Sequence, residues 1–160
     1  MSVACRRATG ADVGAIHRLL VQMAAEVGRT VAVTPDVLRT QGFGPAPRFR
    51  ALLAEAEGQA VGLVLCYPEF SSWRGQVGLY VQDLYVQPQA RGRGLAHALM
   101  AAAWADAADW GPEYLTLMVD HRNTAAQDWY ARRGFALRER GDLLILQGAA
   151  LDRLGQREST

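Results

Sequence analysis

Residues 77–99, VGLYVQDLYVQPQARGRGLAHAL, pass from an apolar strand pattern through an arginine- and glycine-rich turn directly into a helix. A second strand pattern, EYLTLMV, follows that helix, so the segment predicts a strand–helix–strand crossover around the turn. The turn itself carries chemistry. Gly92 and Gly94 have no Cβ, so backbone N–H groups there can face an anion, and the helix that follows adds its positive dipole end. Arg91 and Arg93 add charge beside them, which makes the turn a candidate site for a phosphorylated cofactor.

Written as [Gln/Arg]-x-x-Gly-x-[Gly/Ala], the hexapeptide 89–94 is a cheap match in a chain rich in Arg, Gly and Ala, and 39–44, 41–46 and 91–96 fit it as well. Context separates them. The first two run into Pro45 and Pro47, which stop a helix from starting on the last glycine. The third shares Gly94 and leaves the same loop around the same anion.

The 160 residues, half of them hydrophobic, suffice for one domain with a proper core, expected over residues 1–152 with a polar tail at 153–160. With 17 basic and 16 acidic residues the formal charge is +1, so no global field favours nucleic acid or an anionic membrane. Every basic residue is Arg, which excludes lysine-nucleophile chemistry. Cys5 and Cys66 lie in apolar strand patterns and read as reduced core residues, as suits a cytoplasmic protein. The longest apolar run, 60–67, is too short to span a membrane, and the first residues carry charge where a signal peptide needs an apolar core. His17, His97 and His121 are scattered, and no metal site is expected.

Along the chain, VACRRAT predicts a strand. Thr9 and Asp12 then form a capping box for a helix through Glu26, with Ile16, Leu19, Leu20 and Met23 as its apolar stripe. Thr34-Pro35 starts a second helix that should end before GFGPAP. RFRALLAEA, AVGLVLCY and VGLYVQDLYV predict an antiparallel meander, with FSSWRG as the loop before its last strand. An Ala-rich helix over 94–109, the strand EYLTLMV, a helix NTAAQDWYARRG closed by Gly134, and a last strand LLILQ complete the pattern.

The GFG loop, FSSWRG, QDLYV, QARGRG and NTAAQDWYARRGF, in that order, resemble the GCN5-related N-acetyltransferase (GNAT) superfamily and, within it, the diamine (spermidine/spermine and thialysine) acetyltransferases. The resemblance implies an α/β (α+β) fold, with a mixed, mostly antiparallel central sheet, helices on both faces, and a splayed strand pair that holds acetyl-CoA. It implies that the loop at Arg91, Gly92, Arg93 and Gly94, with Leu95, Ala96 and His97 opening the helix, binds the pyrophosphate. Leu84, Tyr85 and Val86 would pair with the pantetheine arm, and the Leu84 N–H would polarise the thioester carbonyl. Asn123 matches a cofactor-contacting asparagine, and Tyr130 the general acid that protonates the departing thiolate. Read without the resemblance, Tyr130 and Trp129 are aromatic core residues of an amphipathic helix.

Departures from the family pattern bear on the acceptor. Where the diamine enzymes carry an acid, this chain has Gln82, which cannot be a base. Asp83 is adjacent, but strand parity groups it with Val81 and Tyr85, facing away from Gln82, and only a β-bulge would rotate it inward. Glu26 lies near the family's substrate-binding positions, and Asp142 stands where an aromatic contact is expected. Trp73 is placed to cover the acceptor site or an oligomer interface, and Arg132 and Arg133 to sit favourably at a helix C-terminus. The expected reaction is acetyl transfer to a small primary amine, by a homodimer. Acetylation of protein N-termini or side chains and a non-catalytic acyl-CoA-binding module are the other two readings.

Overall fold

β2 (Arg50–Ala56) is buried on both faces along most of its length, which a strand accepts only at the centre of a covered sheet. β1 (Val3–Arg7), β2, β3 (Gln59–Ser71) and β4 (Gln76–Val86) follow one another antiparallel in chain order, and β5 (Tyr114–Leu117) adds to β4 in parallel. This is the expected meander and crossover, seen in a computed structural model that describes residues 3–138 and 146–152. The chain divides into two compact units, Met1–Met118 and Val119–Thr160.

In the first unit, α1 (Val13–Glu26) and α2 (Pro35–Phe43) cover one face of the sheet, where Ile16, Leu19, Leu38, Leu53 and Leu63 form the core. On the opposite face α3 (Leu95–Asp106) sets Leu95, Leu99 and Ala103 against Val64, Cys66, Leu79 and Val81. The small side chains of α3 suit a close approach to the sheet. β5 approaches β4 closely because Gly78 faces Tyr114: a Cβ at Gly78 would lie 2.3 Å from the Tyr114 ring. Cys5 and Cys66 are free thiols, and burial pushes Cys66 up to about 11.

Local details shift the expected boundaries. Thr9 opens a single 3-10 turn, Gly10–Asp12, before α1 begins, and its N–H donates to Asp12 Oδ2 at 2.8 Å. Thr34 caps α2 as expected, its Oγ1 accepting from Val37 N at 3.3 Å. The helix nevertheless runs two residues into GFGPAP, because the bare face of Gly42 is filled by the Phe49 ring. β3 continues to Ser71, so FSSWRG contributes its first two residues to the ladder. The Ala-rich helix stops at Asp106 and a 3-10 turn, Ala108–Trp110, follows. There Arg50 donates to the Asp106 carbonyl, forks onto Asp109 and stacks 3.8 Å above Trp110.

In the second unit, α4 (Thr124–Ala131) is capped by Asn123, and Gly134 follows with φ 86, the left-handed conformation that closes a helix. A short helix, α5, spans Ala149–Asp152. Of the expected strand LLILQ, residues 143–145 lie outside the described residues, and Leu146 and Gln147 are not in a strand. Asp142 and the tail 153–160 also lie outside them.

Asp12 ties β1 to the start of α1. Arg6 donates to both its oxygens, at 2.8 and 2.9 Å, and to Glu55 at 2.6 Å. The Arg6 bonds hold the Asp12 carboxyl far below the usual range. A depressed carboxylate contributes in full above its unfolded pKa of about 3.9 and loses that contribution as pH falls toward its folded value. Asp12→Asn should therefore cost about 1 kcal/mol at pH 7, discounted for the exposure of Arg6. In urea denaturation the gap to the native protein should shrink progressively below pH 4.

Candidate active site

β4 is paired to β5 only over residues 78–81, opposite 114–117, yet it runs on to Val86 with β3 alone beside it. The ladder fixes which groups face the open edge. Gln87 N donates to the Val61 carbonyl, so by antiparallel alternation the backbone of Tyr85 turns to β3 and that of Leu84 and Val86 turns outward. The Val86 carbonyl is taken by Arg91 Nε at 2.8 Å; the Leu84 N–H faces the side where β5 no longer pairs.

The strand delivers the chain into the glycine turn. Gly92 and Gly94 both have φ 75, and a Cβ built on either meets nothing within 4 Å, so the space beside the turn is open. Gly94 precedes α3 without any side-chain cap, leaving the first-turn N–H groups of Leu95, Ala96 and His97 directed out of the helix end. An open cradle of backbone donors at a twelve-residue helix fits a pyrophosphate. Arg93 and His97 are exposed around it.

The Arg91 guanidinium is directed elsewhere. It donates to both oxygens of Glu26, at 2.9 and 2.6 Å, and lies over the Tyr85 ring. Tyr85 Oη donates to the same carboxylate at 2.7 Å. Burial raises Glu26, but the bonds from Arg91 and Tyr85 outweigh it and hold the carboxyl below its usual range; burial and Glu26 together push Tyr85 up to about 12. Glu26, expected at the acceptor, here ties the glycine turn to the end of α1 through Arg91 and Tyr85. A pocket of about 270 Å³ opens beside this lock, lined by Gln22, Ala25, Glu26, Tyr85 and residues 87–89.

On the same face, β4 carries a β-bulge. Leu65 pairs with Asp83 and Cys66 with Val81, leaving Gln82 as an extra residue. Before it, Leu79 and Val81 point under α3; after it, Leu84 and Val86 do, and Tyr85 joins the core under α1 and α2. The parity expectation for Asp83 is therefore corrected: it shares a face with Tyr80 and Tyr85, not with Val81. A regular strand would have driven its carboxylate into the apolar cluster under α3.

Tyr67 stacks on Tyr80 at 5.1 Å, and its hydroxyl donates to Gln82 Oε1 at 3.1 Å. Glu69, two residues along β3, accepts from Thr116 Oγ1 at 2.9 Å. The strand pattern alone marks none of Tyr67, Glu69 and Tyr80; only the β3–β4 register brings them together, and the one cue is an acidic residue after Pro68 in an apolar run. Burial pushes Asp83 up to about 6.

In the second unit, Asn123 Oδ1 accepts from Ala126 N at 3.1 Å, which leaves its amide nitrogen for another partner. Tyr130 packs edge-on against Trp129 and Phe135, and burial raises its hydroxyl. Arg133 donates to the Trp129 carbonyl and covers its ring, the expected helix-end role. His121 is a solvated loop residue beside Asp120. Among the described residues no group of His, Cys, Asp or Glu is arranged to hold a metal, and no helix is long and apolar enough to cross a membrane.

The model of the acetyltransferase (GNAT) family matches residues 29–135. Thialysine N-epsilon-acetyltransferase of Bos taurus is 33% identical over 142 residues, which cover 82% of this chain and 83% of that protein. Its Mus musculus counterpart is 32% identical over 139 residues, 81% of each. Among solved structures, an integron cassette protein from the mobile metagenome of V.cholerae has a TM-score of 0.80 at 19% identity, covering 98% of this chain and 99% of that one. Aminoglycoside N-acetyltransferase AAC(6')-Iy in complex with CoA has 0.72 at 18%, covering 92% and 95%. The last two are similar in fold.

Proposed function

The chain belongs to the acetyltransferase (GNAT) family, and from that premise we propose that it transfers acetyl from acetyl-CoA to the primary amine of a small molecule. The observation that carries this reading is the outward Leu84 backbone on an unpaired strand edge leading into the open glycine cradle. The acceptor class is supported by relatives named for thialysine and by the Tyr67–Tyr80 platform between Glu69 and Asp83, a surface suited to an ammonium group.

In this reading the N–H groups around Gly92, Gly94 and the first turn of α3 hold the pyrophosphate, with Arg93 and His97 beside it, and Leu84, Tyr85 and Val86 line the pantetheine arm. Asn123, by its place in the family motif, is a further cofactor contact. Bound acetyl-CoA supplies a thioester carbonyl open to attack and a sulfur leaving group. Leu84 N–H donates to the carbonyl oxygen, where negative charge grows during attack. Tyr130, by its place in the family motif, protonates the departing sulfur; burial keeps its hydroxyl protonated at neutral pH. We also propose a cytoplasmic homodimer. Phe70 and Trp73, 71% and 89% exposed at the β3–β4 turn, support self-association there.

A thiol-release assay with acetyl-CoA and a panel of primary amines tests the activity: amine-dependent release of CoA is expected, and release that ignores every amine contradicts it. Gly94→Val should weaken acetyl-CoA binding in calorimetry by tenfold or more, about 1.4 kcal/mol, because valine resists φ 75 and fills the cradle. An unchanged affinity in the folded variant would reject the loop assignment. Tyr130→Phe should lower kcat on the order of 10² while sparing that affinity; an unchanged kcat would make Tyr130 a packing residue.

A further inference from the structure

We infer that Asp83 is the base that takes the proton from the acceptor amine, and that Gln82, at the position where related diamine enzymes carry an acid, acts as the inserted residue that turns Asp83 onto the acceptor face. The inference rests on the acetyl-transfer reading above. Its geometry is the register of β3 and β4. With Gln82 unpaired in the ladder, Asp83 leaves the α3 side and joins Tyr67 and Tyr80, one residue before the outward Leu84 N–H. A carboxylate beside the proposed carbonyl donor stands where an attacking nitrogen must shed its proton.

The surroundings suit the role. Among the described residues none donates a hydrogen bond to Asp83, in contrast to Glu26, Asp12 and Asp109, each of which is held by an arginine. Burial without a cation lifts its carboxyl to about 6, so it is ionised at neutral pH yet basic enough to accept a proton. The titratable groups in electrostatic reach of it are Tyr67 of β3 and Tyr80 of its own strand, on which Glu69 of β3 acts as well. Both tyrosines are raised above their ordinary value by burial and remain neutral. Gln82 itself is exposed, with its amide oxygen accepting from Tyr67.

The step balances without another reactant. The acceptor ammonium first gives a proton to Asp83, directly or through one water, and Asp83 passes it to solvent; the freed lone pair on nitrogen then forms the N–C bond with the acyl carbon. The C–S bond breaks with its electron pair on sulfur, which is protonated by the acid proposed at Tyr130. The second proton, left on the new amide nitrogen, goes to solvent, and Tyr130 regains its own from solvent as the amide leaves.

Asp83→Asn, compared with the native protein, tests this with thialysine, spermidine and n-butylamine as strongly basic acceptors and trifluoroethylamine as one already neutral at pH 7. For a base that deprotonates the acceptor, the variant should lose about 10² or more in kcat/KM for the strongly basic amines and far less for trifluoroethylamine. The native pH profile should rise through a midpoint near 6, and that limb should vanish in Asp83→Asn while staying in place in Glu69→Gln. Acetyl-CoA affinity, read by calorimetry, should be unchanged. Equal activity in the variant, an equal loss with all four amines, or a limb that follows Glu69 overturns the assignment alone. A native protein that acetylates none of the amines overturns the proposed function, and this inference with it.

Discussion

One residue more on β4 than on its neighbour decides which side chains reach each face of the sheet. A strand alternates its side chains strictly, so everything past an insertion changes face. Here the insertion at Gln82 falls between Val81 and Asp83, and it keeps apolar residues under α3 on both sides of itself: Leu79 and Val81 before, Leu84 and Val86 after. The same shift puts Asp83 and Tyr85 under the α1–α2 side. A buried carboxylate in an apolar core would cost several kcal/mol. The bulge instead sets the carboxylate beside Tyr67 and Tyr80.

Tyr85, placed by the same shift, joins β4 to the glycine turn. Its hydroxyl and the Arg91 guanidinium meet on Glu26, while Arg91 Nε holds the last outward carbonyl of β4. The end of α1, the end of β4 and the glycine turn are thereby joined through one carboxylate. Arg91 and Glu26, which from sequence alone are a cofactor contact and an acceptor contact, are spent on each other. Their exposed pairing carries modest energy, and its value lies in fixing the loop.

The fold was largely legible in the sequence because its signals are local. Period-2 runs gave the meander, Thr34-Pro35 gave the second helix start, and the glycine turn between strand and helix marked the crossover. What stayed illegible depends on register. A bulge has no composition of its own, so the strand parity that misplaced Asp83 was the correct inference from alternation alone. Tyr67 and Glu69 lie 13 and 11 residues before Tyr80 and meet it only through the β3–β4 ladder. Helix ends shifted for similar reasons: Phe49 filling the face of Gly42 and Arg50 reaching Asp106 and Asp109 are long-range contacts that no local pattern announces.

The proposed acetyl-CoA surface runs without a break from the unpaired edge of β4 to the uncapped start of α3. Amide hydrogen exchange resolved by residue, with and without saturating acetyl-CoA, reads that surface directly. The Leu84 amide and those of Leu95, Ala96 and His97 should exchange at least tenfold more slowly in the complex, while core amides such as Leu63 change little. Binding that protects neither Leu84 nor the first turn of α3 would contradict it.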